Sequence, residues 1–107
     1  MEPLTKKQIK ELLHAFKLNY SGNYNRILQA LLSSGGWVCF RKLKEDSGLS
    51  NRTTLCRSLT SLEDHSIIER RFVSFYDYEK GAPNTIKEFR LTEQFLAFFD
   101  AFVNGGE

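Results

Sequence analysis

One stretch of the sequence, residues 40–70, constrains the fold more than any other. It contains two short helical patterns that meet at Gly48-Leu49-Ser50. Glycine has no Cβ and readily adopts the left-handed backbone that ends a helix, so Gly48 is expected to end the first pattern. The Ser50 hydroxyl is expected to cap the second helix, and Leu49 to fill the corner between them. The stretch predicts two helices joined by a tight turn.

The second helix of this pair, predicted over residues 50–65, has one apolar and one polar face. Leu55, Leu59 and Leu62 are spaced by four and three residues and therefore stack on one side. The opposite side is expected to carry polar and basic side chains, with no acid before Glu63: Asn51, Arg52, Thr54, Arg57, Ser58 and Ser61. A buried ridge with a basic, hydrogen-bonding outer face is typical of a helix that enters the DNA major groove.

The segment before the pair, residues 1–34, predicts two amphipathic helices. Thr5 and Gln8 have the spacing of a capping box, which starts the first helix. Apolar residues then recur at helical spacing in both helices: Ile9, Leu12, Leu13, Phe16 and Tyr20 in the first, and Ile27, Leu28, Leu31 and Leu32 in the second. The apolar run of residues 37–40 follows two glycines and predicts a short strand.

After the pair, the sequence predicts a β-hairpin and a last helix. A strand is expected from Ile67 to Tyr76, a polar loop over residues 77–84, and a returning strand with an irregularity at Lys87-Glu88. Thr92 is expected to cap a final helix over residues 92–103. The predicted order is α-α-β-α-α-β-β-α in one domain, residues 1–107. Its parts are N-terminal helices (1–34), a helix-turn-helix with hairpin (37–91) and the last helix.

Charged residues are distributed unevenly along the chain. The formal net charge of the whole chain is only +2, but residues 1–44 carry a net charge of +6 and residues 91–107 carry −3. A basic region and an acidic tail indicate that one face approaches nucleic acid.

The apolar runs are too short for a membrane span, and the N-terminus lacks the apolar centre of a secretory signal. We expect a cytoplasmic protein of a prokaryotic cell, or of the host if the source is a virus or plasmid.

The cysteines and histidines suggest no metal site. Cys39 and Cys56 have no C-x-x-C partner, and His14 and His65 are too isolated to predict zinc binding. Cys39 is expected to be a small core residue, whereas oxidation of Cys56 beside the buried ridge would disturb DNA contact. There is no nucleophile elbow, phosphate-binding glycine loop or acid–base pair. The sequence predicts no enzyme and no cofactor.

Five segments of the chain match a motif pattern of known regulators. They are Phe40-Arg41-Lys42-Leu43, Gly48-Leu49-Ser50, Leu55 with Leu59-Thr60-Ser61-Leu62-Glu63, Ile67-Ile68-Glu69-Arg70, and Phe89-Arg90-Leu91-Thr92-Glu93. In this order they resemble the winged-helix transcriptional regulators of the MarR, HxlR and PadR group, with the HxlR type as the closest local likeness. The resemblance covers about half the chain and implies an α+β winged helix-turn-helix that binds DNA.

The resemblance implies that the outer face of the second motif helix reads bases. It points to Asn51, Arg52, Thr53, Arg57 and Ser58, to which the polar face adds Thr54 and Ser61. Arginine pairs with guanine and asparagine with adenine, which suits these residue types to base contacts. Phosphate contacts are expected from Arg41, Lys42 and Lys44 of the preceding helix. Lys80 at the tip of the hairpin, residues 77–84, is expected to contact a phosphate or the minor groove. The alternatives are a merely solvated helix face and a purely structural hairpin.

Two functions are compatible with the sequence. The first is a sequence-specific regulator that binds double-stranded DNA as a homodimer. Its expected dimer surface is apolar and comes from the first and last helices: Leu12, Leu13, Phe16, Phe95, Phe98, Phe99 and Phe102. The alternative is a winged-helix protein–protein interaction module in a transcription or replication assembly. The small net charge and the aromatic last helix favour that alternative.

Overall fold

A computed structural model describes residues 4–104, which form five helices and a three-stranded antiparallel sheet. The first elements are α1 (Lys6–Ala15), α2 (Gly22–Ser34), β1 (Val38–Cys39) and α3 (Phe40–Ser47). They are followed by α4 (Arg52–Asp64), β2 (Ile68–Asp77), β3 (Ala82–Leu91) and α5 (Glu93–Asn104). The fold class is α+β, and the predicted element order is confirmed. The ends of the predicted domain, residues 1–3 and 105–107, lie outside the described residues.

Helix α1 begins as predicted but ends earlier than its apolar spacing suggested. The Thr5 hydroxyl accepts from the Gln8 N–H at 3.2 Å, and the Gln8 side chain accepts in return from the Thr5 N–H at 2.9 Å. At the other end, Lys17 has a φ of 64°. This left-handed residue lets the Leu18 N–H donate to the Leu13 carbonyl at 2.9 Å, which closes the helix.

Helix α4 ends in the same way, with Ser66 as the left-handed residue at a φ of 63°. The Ser66 N–H donates to the Glu63 carbonyl and the Ile67 N–H to the Leu62 carbonyl, each at 3.0 Å. Leu62 and Ile67 are both fully buried, which is the apolar contact that accompanies this helix ending. Glycine is the usual residue at the left-handed position, so Ser66 keeps the same turn at a conformational cost.

A single apolar core joins all five helices to the sheet. Leu12, Leu13 and Phe95 are fully buried within the chain, and Phe99 is 7% exposed. These residues were expected in a dimer interface, and that prediction is wrong for them. Phe16, which lies just after α1, packs against Phe95 of α5 at 5.3 Å between ring centroids, so the end of the first helical segment contacts the last helix within one chain. The core therefore uses most of the apolar surface that was assigned to a second subunit.

The sheet has the order β1-β3-β2, with β3 in the centre. Strands β2 and β3 pair residue for residue from Ile68 opposite Leu91 to Asp77 opposite Ala82. The expected irregularity at residues 87–88 is absent, since Phe72 pairs with Lys87 and Arg71 with Glu88 in unbroken register. Strand β1 adds only two pairs, opposite Phe89 and Glu88.

The loop of the hairpin is shorter than predicted. It spans residues 78–81, because Asp77 already pairs with Ala82 and Pro83 and Asn84 lie within β3. The Asp77 carboxylate accepts from the N–H groups of Glu79 at 3.0 Å and Lys80 at 3.3 Å, while Gly81 turns the chain with a φ of 65°. Aspartate and glycine favour this compact turn, which leaves the flanking residues free to pair.

The hairpin makes the molecule elongated. Its principal extents are 55 × 25 × 25 Å, and its radius of gyration of 14.9 Å exceeds the roughly 13 Å of a compact chain of this size. Strands of ten residues are roughly 33 Å long, and β1 covers only the part next to the core. The outer half of the hairpin therefore projects into solvent.

The left-handed turn after α4 predicts opposite effects of two substitutions at Ser66, an exposed residue. Ser66→Gly is expected to raise the free energy of unfolding by up to ~1 kcal/mol, because glycine adopts a positive φ without a Cβ clash. Ser66→Val is expected to lower it by ~1–2 kcal/mol, because a β-branched residue tolerates this conformation least. Urea unfolding of both variants measures the difference, and a valine variant more stable than the glycine variant would contradict the turn.

Candidate nucleic-acid interface

The turn between α3 and α4 has the predicted geometry. Gly48 has a φ of 72°, and its N–H donates to the Glu45 carbonyl at 3.2 Å, which ends α3. Leu49 is 8% exposed and fills the corner, and its N–H donates to the Ser47 hydroxyl at 3.4 Å. A backbone held by both a left-handed glycine and a buried leucine fixes the angle between the helices.

The cap of α4 is Asn51, not Ser50. The Asn51 side-chain oxygen accepts from the Thr54 N–H at 3.1 Å, so the helix begins at Arg52, two residues later than predicted. Serine and asparagine are equally good caps, and residue type alone did not distinguish the two positions. The consequence is that Asn51 lies at the N-terminus of α4, where its oxygen is occupied by the cap.

The buried side of α4 consists of Leu55, Leu59 and Leu62, as predicted. Ser58 also lies on this side and is 7% exposed. Its expected place on the outer face was wrong, because Ser58 is three residues after Leu55 and four before Leu62, the spacing of one helix face. Ser58 is therefore not available to a ligand.

Ahead of the last residue, Asp64, which is also exposed, the exposed side of α4 is formed by Arg52, Thr53, Arg57 and Thr60. Thr54 and Ser61 are half-buried at its margins. The prediction omitted Thr60, although its spacing of seven from Thr53 and three from Arg57 indicates the same face. We call these four exposed residues the outer face of α4. They comprise two guanidinium groups and two hydroxyls.

The two arginines of this face differ in their surroundings. The Arg52 guanidinium lies 5.6 Å from the centre of the Phe40 ring, which in turn lies 6.4 Å from the Phe89 ring of β3. Stacking on an aromatic ring holds a guanidinium in place while leaving its N–H groups free to donate. Arg57 is exposed and forms no ion pair within residues 4–104.

Two of the three basic residues of α3 are paired with acids one turn along the same helix. Arg41 contacts Glu45 at 3.7 Å, and Lys42 contacts Asp46 at 3.2 Å. Exposed pairs at this spacing are worth only ~0.3–0.5 kcal/mol, so a phosphate can displace the acid at little cost. Lys44 is half-buried and lies in the last turn of α3.

Most cations of the hairpin are held by acidic or aromatic neighbours. Arg71 and Arg90 lie over the Trp37 ring, at 4.2 and 4.4 Å from its centre. Arg71 also pairs with Glu88 at 2.7 Å and Arg90 with Glu69. The sequence did not reveal this cluster, because the register that brings three separate segments together is set by the sheet.

Lys80 lies exposed at the hairpin tip, as predicted. Glu79 precedes it, and Asp77 accepts hydrogen bonds in the same turn. Residues 72–83 carry a net charge of −1, so the outer hairpin does not attract phosphate as a whole. A contact from Lys80 would be a single, local one.

Cys39 is the cap of α3 and not a core residue. Its sulfur accepts from the Lys42 N–H at 3.5 Å, and the residue is partly exposed. Cys56 is also free and partly exposed.

His65 contacts the Phe16 carbonyl through Nδ1 at 2.9 Å and links the ends of α4 and α1. No cluster of metal-binding side chains occurs in the part of the chain that the structure describes.

A groove of about 1060 Å³ lies between α2 and α3. It is open and has a mixed lining, with polar residues such as Arg26 and Asp46 beside apolar ones such as Ala30 and Leu32. A wide, open groove of this kind lacks the enclosure of a small-molecule pocket. The outer face of α4 does not line it.

No family model matches this sequence, and no curated protein matches it significantly. Across residues 4–104, none of the helices combines the length and apolar character needed to cross a bilayer. The exposed surfaces of the described residues present guanidinium and hydroxyl groups on α4, two arginine or lysine side chains paired with acids on α3, and aromatic rings on the hairpin.

The orientation of α4 predicts different effects of an added arginine at two nearby positions. Ser58→Arg is expected to lower the free energy of unfolding by ~2 kcal/mol or more, because a charge would enter the buried side. Thr60→Arg is expected to change it by less than ~0.5 kcal/mol, since that side chain points to solvent. Chemical unfolding of both variants checks the orientation, and equal stabilities would contradict it.

Proposed function

We propose that this chain is a winged helix-turn-helix protein that binds double-stranded DNA sequence-specifically, as a homodimer, and regulates transcription. The observation that supports it most is the outer face of α4. Two arginines and two threonines project from a helix whose other side is locked into the core, and no acid occurs in α4 before Glu63. The order of helix pair and hairpin, and the resemblance of residues 40–93 to winged-helix regulators, support the same proposal.

The dimensions of α4 suit a major groove. Its 13 residues give a helix roughly 20 Å long, and the outer face from Thr53 to Thr60 extends over about 10 Å of it. The major groove of B-form DNA is about 12 Å wide and admits one helix. In this proposal Arg57 donates two hydrogen bonds to a guanine, and Thr53 contacts a base or a phosphate. The Thr60 hydroxyl donates to the Cys56 carbonyl at 2.9 Å, so it contacts a base as an acceptor.

The other predicted residues take positioning roles in this proposal. Asn51 stabilises the start of α4, and Arg52, stacked on Phe40, donates to a phosphate or base at that end. Arg41 and Lys42 exchange their acidic partners for backbone phosphates, and Lys80 adds one contact from the hairpin. Such contacts orient the protein on the duplex but carry no sequence information. Ser58 has no role, because it is buried.

A second candidate is a winged-helix module that binds another protein. The observation that favours it is the exposed apolar surface of α5, where Leu96 is 42%, Phe98 40% and Val103 45% exposed. Side chains of this kind at a helix surface are typical of protein interfaces. The two candidates differ in their response to salt, since only phosphate binding releases counterions.

Salt dependence is therefore the first test. Binding to a mixed-sequence duplex is expected to weaken by about ten-fold or more between roughly 50 and 200 mM salt. The reason is that Lys and Arg side chains that contact phosphates release counterions from the DNA, and this release is less favourable at higher salt. Fluorescence anisotropy of a labelled duplex measures this. An absence of salt-sensitive binding would favour the protein-binding module.

The role of Arg57 predicts a selective loss of affinity. On a site obtained by selection from random duplexes, Arg57→Ala is expected to weaken binding by ~5–100-fold, which corresponds to about 1–3 kcal/mol for one bidentate base contact. Binding to unrelated duplexes should fall far less. Lys10→Ala, which removes one positive charge from α1, is the matched control and should leave the specific site's affinity nearly unchanged. Equal loss on all sequences would disprove the base-reading role.

A further inference from the structure

The outer half of the β2–β3 hairpin has no third strand. Strand β1 pairs only with Phe89 and Glu88, so the six pairs from Phe72–Lys87 to Asp77–Ala82 form a two-stranded ribbon. A two-stranded ribbon is marginally stable in water unless another strand or a helix covers it. In the described residues, neither does.

Aromatic side chains are exposed on both faces of this ribbon. Phe72 and Tyr76 lie on one face and are 60% and 50% exposed, and Phe75 lies on the other at 43%. Residues alternate between faces along a strand, so a helix or a flat surface could cover only one set. An added strand would lie beside both sets, because its own side chains alternate in the same way. Strand addition therefore accounts for both faces.

The two edges of the ribbon differ in their capacity to pair. The edge of β3 contains Pro83, which has no N–H, and Lys87, both of which discourage an added strand. The edge of β2 consists of Phe72-Val73-Ser74-Phe75-Tyr76, which contains no charge, proline or glycine. An edge strand of this composition is a template for pairing. The free edge of the ribbon is that of β2.

We propose that β2 pairs with β2 of a second copy of this chain, antiparallel, about a two-fold axis that is perpendicular to the sheet and passes midway between Ser74 and its counterpart in the second copy. In this register Phe72 is opposite Tyr76 of the second copy, and Val73 is opposite its Phe75. The two members of each match lie on the same face of the sheet, as opposite residues in antiparallel strands do, and the two matches lie on opposite faces. A contact between identical patches is the usual form of a two-fold dimer, and it covers both free edges at once.

The charges on β2 favour this register over the registers in which the axis is shifted by one residue. With the axis at Ser74, Arg71, which pairs with Glu88 of its own chain, is opposite Asp77 of the second copy, and these two opposite charges attract each other. An axis at Val73 would instead place Glu69 opposite Asp77, and like charges at opposite positions are destabilising. An axis at Phe75 would leave only five pairs within β2, because the strand ends at Asp77.

The proposed dimer places both copies of α4 on one side of a continuous six-stranded sheet. Helix α4 packs on the face of β2 that carries Ile68 and Arg70, and Arg70 pairs with Glu63 of that helix at 3.4 Å. A two-fold axis perpendicular to the sheet keeps this face on the same side in both copies. The dimer does not depend on DNA binding, and its tests contain no DNA.

Two matched lysine variants test the proposal through their effect on the dimer dissociation constant. Ser74 and Thr85 face each other across the hairpin, 3.3 Å apart at their hydroxyls, and both are exposed. Ser74→Lys would place two like charges on the dimer axis and should raise the dimer dissociation constant by about ten-fold or more. Thr85→Lys removes the same hydrogen bond on β3 and should change it by less than about two-fold.

Sedimentation equilibrium gives these constants, and far-UV circular dichroism confirms that each variant is folded. The proposal is overturned if the unaltered chain is monomeric at about 100 µM. It is equally overturned if the chain is a dimer that Ser74→Lys does not weaken, a result that would direct attention to the α5 surface. A dimer that fails to bind DNA would refute the proposed function and leave this inference intact.

A cross-link tests the register and does not rely on the lysine variants. Opposite residues in antiparallel strands have Cα atoms about 4.5–5.5 Å apart, within the range of a disulfide. In a background of Cys39→Ser and Cys56→Ala, Ser74→Cys treated with oxidised glutathione should form a covalent dimer on a non-reducing gel. Thr85→Cys in the same background should remain monomeric. The reverse pattern would contradict an axis at Ser74.

Discussion

Burial of the leucine ridge of α4 is the constraint on which the rest of this structure depends. Leu55 and Leu62 are fully buried and Leu59 is 3% exposed, and each such side chain contributes about 2 kcal/mol when removed from water. The ridge determines which residues of the helix remain outside. Arg57 and Thr60 are exposed for this reason, and not because of any interaction of their own.

Hydrogen bonds at the end of α4 connect this helix to the sheet and to α5. Ser66 and Ile67 close the helix, and Thr92 then binds both of them. The Thr92 N–H donates to the Ile67 carbonyl at 3.0 Å, and its hydroxyl donates to the Ser66 carbonyl at 2.7 Å. The same hydroxyl accepts from the Phe95 N–H at 3.0 Å and caps α5. One threonine thus links the helix pair, the hairpin and the last helix.

The hairpin combines two regions with different physical character. Its inner half is fastened by β1 and by the stacking of Arg71 and Arg90 on Trp37, with Glu69 and Glu88 as partners. Its outer half has exposed rings, and its two lysines, Lys80 and Lys87, are balanced by Asp77 and Glu79. The arginines of the inner half are therefore engaged in the fold, and the outer half has no excess of positive charge. This division is why α4, and not the hairpin, is the better candidate for phosphate and base contacts.

The sequence by itself determined the elements and their order. Local signals carried that information: the capping box at Thr5, the left-handed Gly48, the leucine spacing of α4 and the cap at Thr92 all depend on residues within one turn of each other. Such signals fix where a helix starts or ends and which side is apolar, with an error of two residues at the start of α4 and of up to three residues at the hairpin loop.

Only the tertiary structure decided how these surfaces are used. Leu12, Leu13 and Phe95 have the same pattern whether they meet another helix of the chain or a second subunit, and packing around Phe16 assigned them to the core. Ser58 has the chemistry of a DNA contact but the location of a core residue. The register of β2 on β3 brought Trp37 between two arginines and left Phe72 and Tyr76 exposed. These outcomes depend on contacts between segments far apart in the chain, which spacing along the sequence does not record.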